Sequence, residues 1–260
     1  MLNPFQLLFY SQLLASLTYF IGAAIYALPV PVYGVKKWAP RLITDSIYVV
    51  VWNSIYLGVL LFLGELLSLL GVTWDGYFSW LNNILYIEQS LYLMVKTILT
   101  ASNAVPEVSA LIQVVPFGAL LTVITSALTF TSTLIAVSKI VYQYVAVFIA
   151  TGVLFLSIPF RIGRSVGGAF IGSGIVFYVG LPYLPQFLAA FQMLPTQELN
   201  TPPQNASAII DYYVHVVPSI ITSLVIGPVI YIFILVGFSM GVASLVSGYG
   251  SRLPLIIDVF

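Results

Sequence analysis

The sequence predicts an all-α protein, a polytopic membrane bundle of about seven helices with its N-terminus outside and its C-terminus in the cytoplasm. Two observations lead to this class. Of the 260 residues, 60% are hydrophobic and only 6% are charged, whereas a soluble domain carries about a quarter charged residues. Several stretches without any charged side chain also exceed the roughly 20 residues that cross a bilayer as a helix. We expect residues 1–260 to form a single transmembrane domain in the cell membrane.

Polar segments rich in proline, glycine and charge separate the apolar runs and set the limits of the predicted spans. The first run ends at "PVPVYGVKKWAPR", "VTWDG" follows the second, and a break at Ser138-Lys139 separates the fourth from the fifth. Polar side chains interrupt the third run, which leaves two placements open. The run either crosses the membrane or lies flat in the interface. The predicted spans are residues 5–28, 43–70, 77–101, 108–137, 140–158, 166–190 and 214–246.

Positive charge decides the orientation, because short cytoplasmic loops are enriched in lysine and arginine. If residues 77–101 lie in the interface, four basic residues fall on each side. If residues 77–101 instead cross the membrane, Lys139 is the only one of the eight basic residues that lies outside. The sequon at Asn205 then also lies outside, as its glycosylation would require. The seven-span arrangement is therefore preferred, and it places inside Lys36, Lys37, Arg41, Lys96, Arg161, Arg164 and Arg252.

Composition and motifs predict neither enzymatic activity nor a cofactor or metal. The chain has no cysteine and a single histidine, His215, which cannot make a typical zinc site. Motifs of zinc proteases, serine hydrolases, phosphate-binding loops and dinucleotide folds are absent from the sequence. Asp211 stands four residues before His215, and we expect the two to form an interfacial pair.

Polar residues inside the predicted spans are candidate functional sites. Asn82, Gln89 and Lys96 recur every seven residues on one side of a helix, and Glu88 is predicted close to that side. Such a stripe usually faces a bundle interior or a water-filled path, although an interfacial helix would also explain it. In the second run, Asp45 is expected at the interface, and the role of Glu65 stays open.

A second stripe consists of hydroxyl residues in the fourth run. These side chains could line a polar passage, but close helix packing is preferred, because small hydroxyl residues pack well and bond back to their own helix carbonyls. The stripe comprises Thr122, Thr125, Ser126, Thr129 and Thr133.

The segment "PFRIGRSVGGAFIGSG", residues 159–174, combines two arginines with two GxxxG spacings. The spacings Gly163–Gly167 and Gly168–Gly172 predict close helix packing. Arg161 and Arg164 are predicted at the cytoplasmic surface, as anchors that reach the headgroups. Bonding to helix-end carbonyls, phosphate contact or docking of an ATPase would also explain them.

The order of this motif, a small-residue span and "LPYLP" resembles CedA, the polytopic subunit of the crenarchaeal DNA-import system. It is more distantly similar to TrbL/VirB-type inner-membrane subunits of conjugation machines. The resemblance implies an archaeal, thermophile, type IV secretion-like machine that imports or transfers DNA. This chain would serve in it as a channel or assembly platform without catalysis.

The resemblance also implies partners: small pilin-like membrane subunits, a cytoplasmic HerA/VirB-type ATPase and DNA, in a hetero-oligomer within membrane lipids. The residues it would bring to DNA or the ATPase are Lys36, Lys37, Arg41, Arg161 and Arg164. The alternative function is a small-solute or ion transporter using Glu65, Glu88 and Lys96, which is weakened because no internal repeat is visible.

Overall fold

A computed structural model describes residues 3–29, 33–102, 117–191 and 222–248, and these ranges contain helices and no strand. The all-α class is thus confirmed for the described chain. The predictions at Asn205, Asp211, His215 and Arg252 lie outside the described residues. The helices are α1 (Pro4–Ala27), α2 (Tyr33–Lys36), α3 (Trp38–Leu69), α4 (Trp74–Ser102), α5 (Phe117–Leu156), α6 (Arg164–Gly180), α7 (Leu184–Ala190) and α8 (Gly227–Ser247). Single 3₁₀ turns lie at Pro159–Arg161 and Leu181–Tyr183, and a π turn lies at Thr222–Ile226.

Five helical segments among the described residues are long and apolar enough to cross a membrane, so the chain is a membrane protein. They are Pro4–Ala27, Gly34–Leu69, Gly118–Leu156, Arg164–Ala190 and Gly227–Ser247. Helix α4 is long enough but is not one of them, because polar side chains lower its hydropathy. The predicted count of seven spans is not confirmed.

The predicted break at Ser138-Lys139 is wrong. Helix α5 continues without interruption from Phe117 to Leu156. Ser138 is fully buried, and its hydroxyl lies 3.1 Å from the Tyr77 hydroxyl. A serine hydroxyl that has a partner can stay in a buried helix face, so a polar pair in the sequence does not force a turn. The predicted spans 108–137 and 140–158 therefore belong to one helix from Phe117 onward.

The chain divides into two compact units. Unit 1 contains Met1–Gly71, Ile140–Gly180 and Leu235–Phe260, and unit 2 contains Val72–Lys139 and Leu181–Ile234. The single transmembrane domain stays a prediction.

In unit 1, α1 and α3 form a closely packed hairpin. Helix α1 begins at Pro4, and the Asn3 side chain accepts a hydrogen bond from the Phe5 N–H at 3.0 Å, which satisfies one free donor of the first turn. Small and apolar side chains of α1 recur every three or four residues on the buried face. They are Leu7, Ser11, Ala15, Thr18 and Gly22.

A polar contact joins the same two helices. The Asn53 side-chain amide donates to Gln12 Oε1 at 2.9 Å, and the Ser11 hydroxyl donates to Asn53 Oδ1 at 3.4 Å. Helix α3 is also tied to α5, because the Tyr56 hydroxyl donates to the Ala146 carbonyl at 3.0 Å. In a hydrocarbon environment such bonds add directional contacts to a packing based on dispersion.

Glycines allow close helix contacts in unit 1. A Cβ at Gly167 would lie 2.6 Å from the Gly152 carbonyl oxygen of α5. A Cβ at Gly168 would lie 2.6 Å from the Ala243 carbonyl oxygen of α8, and one at Gly172 would lie 2.7 Å from the Ala243 nitrogen. Helix α6 therefore approaches α5 and α8 at backbone distance, with no room for side chains at these positions.

In unit 2, α4 and the first part of α5 meet in an antiparallel seam. Buried residues of both helices are spaced alternately by three and four, which is the repeat of two helices packed side by side. On α4 they are Trp74, Tyr77, Leu81, Ile84, Glu88, Leu91 and Val95. On α5 they are Leu120, Ile124, Ala127, Thr131, Leu134 and Ser138. Two polar layers interrupt the apolar seam, Tyr77–Ser138 and Glu88–Thr131.

Candidate functional site

The main polar cluster of unit 1 joins the start of α3 to the turn between α5 and α6. Asp45 lies in the second turn of α3. Its carboxylate accepts hydrogen bonds from Arg161 Nε at 2.7 Å and Arg161 Nη2 at 2.8 Å. Arg164 Nη1, at the start of α6, donates to Asp45 Oδ1 at 2.9 Å. Arg161 thus binds Asp45 with two parallel hydrogen bonds, the strongest common geometry of a guanidinium–carboxylate pair.

A tyrosine extends this cluster to a third helix. The Arg164 guanidinium carbon lies 5.1 Å from the centre of the Tyr48 ring, a cation–π distance. The Tyr48 hydroxyl donates to the Val246 carbonyl at 2.7 Å, near the end of α8. Asp45, Tyr48, Arg161 and Arg164 therefore connect α3, α6 and α8 at one end of unit 1, which we call the arginine end.

The turn that presents Arg161 is strained. Pro159 opens it, and Phe160 and Arg161 follow with φ of +62° and +65°, a region that costs non-glycine residues about 1–2 kcal/mol each. At Gly163 an added Cβ would collide with the Phe155 carbonyl oxygen, so only glycine allows this close return of the chain. The hydrogen bonds to Asp45 offset the strain and hold the turn in place.

A small cavity of about 10 Å³ lies beside the cluster, with Thr18, Ser46 and Ser157 in its wall. Arg164 Nε is buried without a hydrogen-bond partner among the described residues. The cavity is about the size of one water molecule, and its hydroxyl-lined wall offers the partners such a water needs.

Three further basic residues lie near the start of α3. Lys36, Lys37 and Arg41 are exposed, and the Arg41 guanidinium carbon lies 5.8 Å from the Trp38 ring centre. Trp38 makes an edge contact with Phe160, with ring centres 6.2 Å apart. The arginine end thus holds five basic side chains and one carboxylate among the described residues of unit 1.

The structure separates the predicted polar stripe of α4 into two surfaces. Asn82, Gln89 and Lys96 are exposed, whereas Glu88 is only 1% exposed and lies in the seam. The expectation that Glu88 lies near the side of the other three is wrong. Adjacent helix positions differ by about 100° in direction, so the partner helix covers Glu88 and leaves Gln89 outside.

The hydroxyl stripe of α5 is not the face that packs in the described structure. All five of its side chains are exposed, and the seam uses another face of α5. Their predicted bonds to the carbonyl four residues earlier are confirmed at 2.7–3.0 Å. Four of them, Thr122, Thr125, Ser126 and Thr129, line an open groove of about 540 Å³ together with Leu121 and Phe130.

The sequence did not predict the pairing of Asp45 with the two arginines, nor the Gln12–Asn53 contact. A weak signal existed for the first, because Asp45 is the acidic residue nearest to the first basic loop in the sequence. The remaining candidate, Glu65, is exposed on α3.

Five long apolar helices, with charged contacts collected at one end of unit 1, define a helical membrane protein. Residues 1–69 are similar to the family described as DNA import protein CedA1. The matched residues form α1 to α3, whereas the sequence resemblance was drawn from residues 155–190. The match does not show a similarity to TrbL-type subunits. No solved structure matches the chain.

Proposed function

We propose that this protein is a multi-pass subunit of a DNA-import machine in the cell membrane. It serves as a channel or assembly platform and has no catalytic activity of its own. The observation that carries the proposal is the match of residues 1–69 to a family described by DNA import. The arginine end supports it, since it provides a basic surface at one end of unit 1.

The proposed topology uses the five spans found among the described residues, with the N-terminus outside and the C-terminus in the cytoplasm. The start of α3, the turn after α5 and the end of α8 meet at the arginine end. This end is the cytoplasmic one by the positive-inside rule. With α5 as a single span and α4 not crossing, Lys96 alone lies outside. Lys139 falls within α5, and the remaining basic residues of the described chain lie inside: Lys36, Lys37, Arg41, Arg161 and Arg164.

Basic residues at the arginine end have two roles in this proposal. Arg161 and Arg164 bind Asp45 and hold the turn, so their charge is largely compensated. Lys36, Lys37 and Arg41 are exposed and are the residues proposed to contact DNA phosphates. Three cations give a modest electrostatic affinity in one chain, and several copies around a pore would multiply it.

The proposed partners are small pilin-like membrane subunits and a cytoplasmic HerA/VirB-type ATPase, in a hetero-oligomer that handles DNA. This arrangement corresponds to a conjugation-like, type IV secretion-like system of a thermophilic archaeon. The family description supports DNA import, and the basic cytoplasmic end supports docking of a motor or of DNA itself. Purification of the protein with bound small membrane subunits would test the assembly.

The experiment that tests DNA contact compares two sets of substitutions that remove positive charge. The measured quantity is the uptake of labelled DNA per copy of this protein in the membrane. Replacing Lys36, Lys37 and Arg41 together by Gln should reduce uptake at least several-fold with normal abundance. Arg161→Gln with Arg164→Gln should lower the abundance itself, because Asp45 loses its partners. Lys139→Gln is the matched control and should leave uptake unchanged. Normal uptake by the triple variant at normal abundance would contradict DNA contact at this end.

The alternative, a small-solute or ion transporter, finds no specific support among the described residues. Glu65 is exposed in unit 1, and in unit 2 Glu88 and Lys96 lie on different faces of α4. Transporters instead gather such groups at one site near the middle of the membrane.

A further inference from the structure

Glu88 is a carboxyl group enclosed by apolar side chains of the seam. It is 1% exposed, and its neighbours along the buried face of α4 are Ile84 and Leu91. The Thr131 hydroxyl donates to Glu88 Oε1 at 2.9 Å. Glu88 Oε2 is buried without a hydrogen-bond partner among the described residues. A carboxylate in such a place costs much free energy, because one hydroxyl does not replace its hydration.

No charged side chain of the described elements offsets this cost. On the first part of α5 the titratable residue is Lys139, which is exposed and eight positions beyond Thr131. The turn at Leu181–Tyr183 and α7 also pack on α4, and Tyr183 is their titratable residue. On α4 itself, Asp75 and Lys96 are exposed, thirteen positions before and eight positions beyond Glu88. The other titratable side chains of α4 are those of Tyr77, Tyr86 and Tyr92. The Glu88 carboxyl thus depends on its own proton for neutrality.

We propose that Glu88 is a proton-binding site that keeps the α4–α5 seam of unit 2 closed when it is protonated and opens it when it is ionised. The ligand is a proton, and the responsive element is the pair of helices on either side of Glu88 and Thr131. Ile84, Leu91 and Leu134 are apolar side chains buried in the closed seam. They would become accessible to solvent when the seam opens. The proposal stands apart from the DNA-import function, because it concerns the stability of the seam alone.

The direction of the pH effect follows from the environment of the carboxyl group. Burial raises the pKa of Glu88 from 4.5 to about 7, and the hydrogen bond from Thr131 opposes part of this rise. Since the closed seam has the higher pKa, it binds the proton more tightly than the opened seam. Closure is therefore fully favoured below about pH 4.5 and loses stability as the pH rises through about 7.

Hydrogen exchange of the full chain in lipid nanodiscs, followed by mass spectrometry from pH 5.5 to 8.5, tests the proposal. After correction for intrinsic exchange, protection of residues 74–95 and 120–138 should fall by up to about tenfold per pH unit between pH 5.5 and about 7 and level off above that. Peptides of α1 serve as the internal reference and should not change. Protection of the seam that stays constant over this range would overturn the proposal.

Three variants separate the proton site from a general pH effect. Glu88→Gln keeps the shape and the contact with Thr131 but cannot ionise, so its protection should be independent of pH. The protection of Glu88→Leu should also be independent of pH. This variant takes the place of Glu88→Gln if the glutamine variant does not accumulate. Asp75→Asn is the matched control, since Asp75 is an exposed carboxylate on the same helix, and it should keep the wild-type pH dependence. A pH dependence retained in Glu88→Gln or Glu88→Leu, or lost in Asp75→Asn, would refute the assignment.

Discussion

Asp45 carries a large share of the interaction at the arginine end. Its two carboxylate oxygens accept three hydrogen bonds from two guanidinium groups. The side chains of Asp45 and Arg164 are 16% and 14% exposed, whereas that of Arg161 is 38% exposed. Water therefore screens part of the pair with Arg161, and the pair with Arg164 is the more strongly desolvated one.

Replacing Asp45 by Asn should destabilise the protein, because both arginines lose their counter-charge. We expect a loss of about 2–3 kcal/mol, below the roughly 3–5 kcal/mol of fully buried pairs, owing to the exposure of Arg161. The measurement is reversible unfolding in detergent. Glu65→Gln is the control on the same helix, since Glu65 is exposed and its loss should cost little. Equal stabilities of the two variants would show that the cluster contributes nothing.

At the scale of elements, α6 is held between two neighbours by glycines rather than by large side chains. Gly167 faces α5, and Gly168 and Gly172 face α8. Without these glycines the helices would have to move apart by the size of a methyl group. Close backbone approach maximises dispersion contacts, which replace the hydrophobic effect inside a membrane.

Gly168→Ala should therefore destabilise the contact of α6 with α8. The new methyl group would lie 2.6 Å from the Ala243 carbonyl oxygen, and we expect a loss of about 1–3 kcal/mol from this overpacking. Gly241→Ala on α8 is the matched control, because nothing lies within 4 Å of its Cβ position. That variant should be neutral or slightly more stable, since alanine favours helix. Unfolding in detergent compares the two, and a Gly168→Ala variant as stable as wild type would contradict the packing.

At the scale of the whole molecule, the proposed orientation is open to a direct test because the chain has no cysteine. Ile162 at the arginine end is 79% exposed, and Leu69 at the end of α3 is 82% exposed. With the arginine end in the cytoplasm, Leu69→Cys should react with a membrane-impermeant maleimide in intact cells. Ile162→Cys should react only after permeabilisation. The reverse pattern would invert the topology, and the cysteine-free wild type is the blank.

Local patterns in the sequence were enough to predict the class of this protein. A chain with 60% hydrophobic and 6% charged residues cannot cover a soluble core, and its long apolar runs must form helices to satisfy their backbone in lipid. The back-bonding of the hydroxyl stripe was also predictable, since it connects residues four apart on one helix. The predicted turn at Ser138-Lys139 failed, because polarity in a sequence does not show whether a partner will satisfy it.

The tertiary structure alone decided which side chains meet. Asp45 and Arg161 are 116 residues apart, and neither hydropathy nor periodicity carries information over that distance. Glu88 and Gln89 are neighbours in sequence, yet one is buried and the other exposed, because the placement of α5 determines which face of α4 is covered. The sequence by itself therefore determined a helical membrane protein and the location of its charges along the chain. Packing between helices decided that Asp45 holds the arginine end and that Glu88 lies buried in the seam.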